Sequence, residues 1–186
     1  RAQEINKKLN NNDEELLNIW NSIKQISIKS LKENFKLFNH SFDYWLGESD
    51  VNNLIPEMID SLIKNKKIID DEGALISAED TEPKILITKS DGSYLYITTD
   101  LATVLFRQDK FKYDKALYIV DNRQSLHFKQ LFGSIKFFGF NSLYHEHISY
   151  GTLNDSDGNP FKTRDGDTKP LSELFEETYD YIKDIN

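Results

Sequence analysis

The sequence has no cysteine, a single methionine, four prolines and eight glycines among its 186 residues. Without cysteine there is no disulfide and no thiolate metal site, a composition compatible with a reducing cytosol. No apolar run approaches the roughly 20 residues that span a bilayer. The opening stretch 1–14 is mostly polar and charged, unlike a secretory leader. Basic charge is also in short supply: 23 Lys and Arg face 31 Asp and Glu, leaving a net charge of -8. That argues against this chain being the main docking surface for nucleic acid, which carries a basic footprint, but leaves room for a nucleic-acid partner held by another domain. The chain opens on Arg1 and its only methionine is Met58, so a piece of a longer protein is expected. What is plentiful is aromatic surface, twelve Phe, nine Tyr and two Trp, enough for a real core in one domain or one and a half.

The organising stretch is A-L-Y-I-V-D-N-R-Q-S-L-H-F-K-Q-L-F, residues 116–132. Leu117 to Val120 is a short apolar run with the pattern of a buried strand. Asp121, Asn122 and Arg123 break it, and from Ser125 the apolar residues Leu126, Phe128, Leu131, Phe132 and Ile135 recur at helical spacing, with Ser125 as N-cap. In an open parallel sheet, ligands sit where a strand's carboxyl end meets such a loop. A second strand over Leu143–Tyr150 lies far enough along for a parallel crossover. Upstream, Asp13–Phe38 reads as a long helix capped by Asn11, Asn12 or Asp13. Ser41–Leu46 reads as a short aromatic strand, and Val51–Lys67 as an amphipathic helix with Pro56 in its first turn. Ile68-Ile69, Gly73–Ser77, Lys84–Thr88 and Tyr94–Ile97 read as strands, with Asp91-Gly92 as a hairpin turn. Thr98, Thr99 and Asp100 open the next helix. A Gly/Asp/Asn-rich loop over 154–167 and a helix over 170–185 close the chain.

Four clusters carry possible chemistry. Glu48 in Gly47-Glu48-Ser49 follows a predicted strand end; it is either a crevice carboxylate or a solvated loop acid. Tyr96 and Asp100 lie around a strand-to-helix junction, where Asp100 also suits the helix dipole and Tyr96 also suits packing. Together, two acids and a phenol suit a planar cation, because guanidinium favours bidentate carboxylates and tolerates an aromatic face. Gln124 offers an amide or a helix cap, and His127 a phosphate contact or a hydrogen-bonded, half-buried imidazole. Lys162 and Arg164, in Pro160-Phe161-Lys162-Thr163-Arg164-Asp165-Gly166, suit a polyphosphate or simply an exposed basic loop.

Read in order, F-D-Y-W-L-G-E-S, S-D-G-S-Y-L-Y-I-T-T-D-L-A, Y-I-V-D-N-R-Q-S-L-H-F-K-Q-L-F, H-I-S-Y-G-T and P-F-K-T-R-D-G resemble the catalytic domain of class I arginyl-tRNA synthetases, from about Asp43 to Glu176. The resemblance implies an α/β, partial Rossmann-like nucleotide-binding fold with parallel strands. It would comprise a helical segment (1–40), a strand plus helix (41–66), a β-rich insertion (67–97) and the C-terminal half of the nucleotide fold with its signature loop (98–186). It implies arginine held by Glu48, Tyr96, Asp100 and Gln124. His127, Gly151, Phe161 and Lys162 would bind ATP, and Lys162 and Arg164 would act catalytically on the phosphates. Mg²⁺ would arrive with ATP, without a metal held by the protein itself. The implied partners are arginine, ATP and tRNA(Arg), in a cytoplasmic monomer with no membrane partner.

The sequence departs from that family in both signature motifs, and the anticodon-binding helical domain expected after the loop is not among its residues. The K-M-S-K-S signature reads P-F-K-T-R, and H-I-G-H is absent; His145-Glu146-His147 lies after the central helix and is no substitute. The isolated chain is therefore expected to keep part of an arginine pocket and little ligase activity. Two other classes compete: another nucleotidyl-transfer enzyme of similar fold, and a non-catalytic module docking through the Asp13–Phe38 helix.

Overall fold

The computed structural model describes residues 4–5, 8–9, 13–78, 84–140, 143–152, 154, 158 and 171–185. Along the chain run α1 (Glu14–Leu37), α2 (Ile55–Lys64), β1 (Ile68–Asp71), β2 (Ala74–Ser77), β3 (Leu86–Thr88), α3 (Tyr96–Phe111), β4 (Lys115–Asp121), α4 (Ser125–Phe138), β5 (Tyr144–Tyr150) and α5 (Leu171–Ile185). They fall into two compact units, one of Leu46–Phe161 and one of Arg1–Trp45 with Lys162–Asn186.

In the latter unit, Asp13 caps α1 by accepting a hydrogen bond from the Leu16 N–H at 3.2 Å. The helix packs against α5, and Phe38 meets the ring of Phe175 edge-on, 5.4 Å between centroids. The strand expected over Ser41–Leu46 does not form. Its aromatic alternation is satisfied differently: Phe42 and Trp45 place their rings against Phe35 of α1, at 4.8 and 6.0 Å. Strand propensity registers only where a neighbouring strand offers a pleated surface to pack on.

The other unit holds the larger core. Asn52–Leu54 forms a tight 3₁₀ turn, so α2 starts at Ile55, later than the pattern suggested, with Pro56 in its first turn. Its face of Ile55, Met58, Ile59 and Leu62 is buried together with Ile68, Ile87, Leu101, Ala102, Val104, Phe128, Leu131, Ile135 and Phe138. β1, β2 and β3 form an antiparallel sheet. Glu72 and Gly73, with φ of 54° and 85°, turn β1 into β2 in the left-handed region that two-residue hairpins require. The Asp91-Gly92 turn forms as expected: the Gly92 N–H bonds the Lys89 carbonyl at 2.9 Å. It leads only to a single bridge between Thr88 and Tyr94, and the expected Tyr94–Ile97 strand gives way to α3 at Tyr96. Thr98 fixes that start, because its buried hydroxyl donates to the Ile87 carbonyl at 2.5 Å.

β4 and β5 are parallel, in register from Lys115 opposite Tyr144 to Asp121 opposite Tyr150, and α4 is the crossover between them. This is the α/β, partial Rossmann-like arrangement expected. β4 is not buried throughout, however. Tyr118 and Val120 pack against the core, whereas Leu117 and Ile119 are 48% and 66% exposed on the opposite face.

Candidate active site

The parallel pair sets the frame. Because Asp121 faces Tyr150 across the ladder, the turn Asn122–Gln124 and Gly151 leave the sheet at the same carboxyl edge. Asp121 organises the turn. Its Oδ1 accepts from the Arg123 N–H at 2.8 Å and from Nε at 3.0 Å, while Oδ2 accepts from Nη2 at 2.9 Å. The Arg123 hydrogen bonds hold the Asp121 carboxyl below the ordinary carboxylate range and raise the guanidinium in turn. Arg123 is thus engaged within its own turn. Gln124 occupies the cap position before α4, is exposed, and makes no side-chain cap bond. Ser125, expected as the cap, is instead the first helical residue and donates its hydroxyl to the Asn122 carbonyl at 2.6 Å.

His127, in the first turn of α4, reaches across to α3. Its Nε2 lies 2.6 Å from Oδ2 of Asp100. Both side chains are half-buried, and they tie together two helices that also pack on one another. Asp100 is the fifth residue of α3 rather than part of its opening turn, because the helix starts two residues earlier than expected. That shift has a consequence: Tyr96 and Asp100 stand four residues apart on one helix and share a face. Tyr96 is 79% exposed. Glu48 is exposed at the head of a 3₁₀ turn that packs against α3. That turn is closed by Asp50, whose Oδ2 accepts from the Gly47 N–H at 2.6 Å. The Glu48 turn and α4 thus both pack against α3, the helix that carries Tyr96 and Asp100. Gln124 and Gly151 lie at the neighbouring sheet edge. Phe161, Lys162 and Arg164 lie outside the described residues.

Facing the core from the two parallel strands is a polar cluster of Tyr118, His145 and His147; the strand spacing of the two histidines suits structural groups rather than metal ligands, while the role of Tyr118 was not anticipated. Tyr118 on β4 pairs its hydroxyl with Nδ1 of His145 on β5, 3.2 Å away. Burial pushes the Tyr118 phenol up to about 12 and moves the His145 imidazole below its ordinary value. His147 pairs its Nε2 with the Val120 carbonyl at 2.9 Å and stacks on Phe128 at 4.6 Å. His145 and His147 are thus tied to β4 and α4 as structural groups. The available signal was the period of two in A-L-Y-I-V, which puts Tyr118 on the covered face.

A family model described as tRNA synthetases class I (R), catalytic domain, matches residues 1–186. The chain belongs to that family. It is 40% identical over 169 residues to an arginine–tRNA ligase of Francisella tularensis subsp. novicida, an alignment covering 89% of this chain and 29% of that protein. It is 37% identical over 201 residues to an arginine–tRNA ligase of Pseudomonas fluorescens, covering 100% of this chain and 35% of that one. The crystal structure of the arginyl-tRNA synthetase from Plasmodium falciparum aligns with a TM-score of 0.71 at 23% identity, over 98% of this chain and 33% of that chain, a likeness of fold. The family member described here thus spans about a third of the length of the relatives it matches.

Proposed function

We propose that this chain supplies the arginine-recognising part of an ATP-dependent arginine–tRNA ligase. The observation that carries the reading is the Asp100–His127 pair at 2.6 Å, which joins α3 to the start of α4 beside the carboxyl edge of the parallel strands. Asp100 and Tyr96 on one helix face, with Glu48 on a turn that packs against the same helix, are the two acids and the phenol offered to a planar cation. Gln124 serves the amino end of the substrate. His127 and Gly151 stand nearest the ATP side, and Lys162 and Arg164 act on the phosphates. ATP enters with Mg²⁺ as a substrate complex. The arginine carboxylate attacks the α-phosphorus, the bond to the β-phosphate oxygen breaks, and pyrophosphate leaves. The 3′-terminal hydroxyl of tRNA(Arg) then takes the arginyl group and AMP departs. The chain's contribution is position and charge, and the chemistry requires no protein nucleophile. The reading extends to a cytoplasmic, monomeric protein, in keeping with the absence of cysteine.

Calorimetric titration tests it. Arginine binds and lysine binds at least about tenfold more weakly, because an ammonium cannot satisfy planar, bidentate carboxylate geometry. Asp100→Ala abolishes measurable arginine binding. Equal affinity for the two amino acids, or full affinity in Asp100→Ala, removes the reading.

A further inference from the structure

We infer that His127 is a positioning residue for Asp100, fixing the orientation in which its carboxylate meets the substrate cation; this rests on the arginine-recognition reading above. A carboxylate only accepts hydrogen bonds, so the 2.6 Å contact from Nε2 to Oδ2 is made by an Nε2–H donor. One lone pair of Oδ2 is thereby engaged, which orients the carboxylate and leaves Oδ1 and the second lone pair of Oδ2 to a guanidinium, with Tyr96 one helical turn away on the same face.

The imidazole can do this because it is itself held. His127 lies edge-on to Phe128, 5.6 Å between ring centroids. Phe128 is buried and stacks on His147 at 4.6 Å. His147 in turn is fixed to the Val120 carbonyl of β4. The placement of Asp100 is therefore referred, ring by ring, to the parallel strands. An aspartate on a helix surface has several side-chain rotamers; a partner on the facing helix selects one of them before the substrate arrives. His127 thus couples the amino-acid pocket on α3 to the strand edge where the loop after β4 begins.

Two measurements on the 186-residue chain test this. The first is the long-range ¹H–¹⁵N spectrum of the four histidines, His40, His127, His145 and His147. Asp100→Asn is expected to move the His127 ring nitrogens while those of His40 stay in place; an unmoved His127 overturns the pair. The second is arginine titration. His127→Ala is expected to weaken arginine by about tenfold or more, the effect of losing a hydrogen bond to a charged group, in a chain that still unfolds cooperatively in urea. His127→Gln, whose amide N–H reaches a similar position, is expected to stay within about threefold of the parent chain. Parent-like binding in His127→Ala overturns the positioning role. Failure of His127→Gln to restore binding does so too, since it marks a loss of packing rather than of the donor. If the parent chain itself does not bind arginine, the recognition reading falls and the role falls with it, while the spectrum still decides whether the pair forms.

Discussion

His145 shows how one side chain makes stability depend on pH. Burial disfavours its charged form and lowers its pKa from the ordinary value of 6.5. The unfolded chain therefore takes up a proton near pH 6.5 that the folded chain resists. Between those two values the unfolded state binds more protons, so stability rises with pH, is fully present above about 6.5 and is lost as pH falls toward the folded value. Urea unfolding at pH 7.5 and 5.5 is expected to show a drop for the parent chain and a smaller drop for His145→Gln; equal drops show that His145 does not titrate differently on folding. Tyr118 makes the neighbouring contact, and its phenol is raised for the same reason. None of this is visible in H-E-H as a string, because burial is a property of what surrounds a residue.

At the scale of the element, α3 is set by one hydroxyl. Thr98 is fully buried and donates to Ile87 of β3, fastening the first turn of the helix to the antiparallel sheet. Thr98→Val keeps the shape but leaves the carbonyl without that donor. It is expected to cost about 1–3 kcal/mol by urea denaturation, with less than about 0.5 kcal/mol for exposed Thr-to-Val changes elsewhere. A cost within that background means that the bond does not anchor α3. The matter bears on function, since this turn decides that Tyr96 and Asp100 share a face.

At the scale of the molecule, similar apolar residues carry very different weight. Leu131 is 1% exposed among the core residues, whereas Ile119 is 66% exposed on the uncovered face of β4. Leu131→Ala is expected to cost about 2–5 kcal/mol and Ile119→Ala less than about 1 kcal/mol by urea midpoint, an order that similar losses would contradict. Parallel sheets are ordinarily covered on both faces; in this chain Leu117, Ile119, Ile148 and Tyr150 are all exposed. Activity is the other whole-molecule quantity. The 186 residues contain no H-x-G-H sequence, and ATP–pyrophosphate exchange by this chain alone is expected to stay at background. Turnover comparable to a full-length relative sinks that expectation.

Much of the fold was legible because local chemistry and tertiary structure agree. The strand–loop–helix of residues 116–132, the Asp91-Gly92 turn and the parallel return through Tyr144–Tyr150 are dictated by period and turn residues over short spans, and the cap of α1 was narrowed to three residues, of which Asp13 serves. The chemical types suited to a planar cation, Glu48, Tyr96 and Asp100, were also visible as types. What the string could not decide was anything requiring a partner distant in sequence. Whether Ser41–Leu46 pairs as a strand or packs its rings on Phe35, which face of β4 is covered, and that Asp100 meets His127 twenty-seven residues away all depend on surfaces brought together by folding. A sequence states what each side chain can donate, accept or bury; only the closed structure sets which neighbour is within 3 Å to receive it.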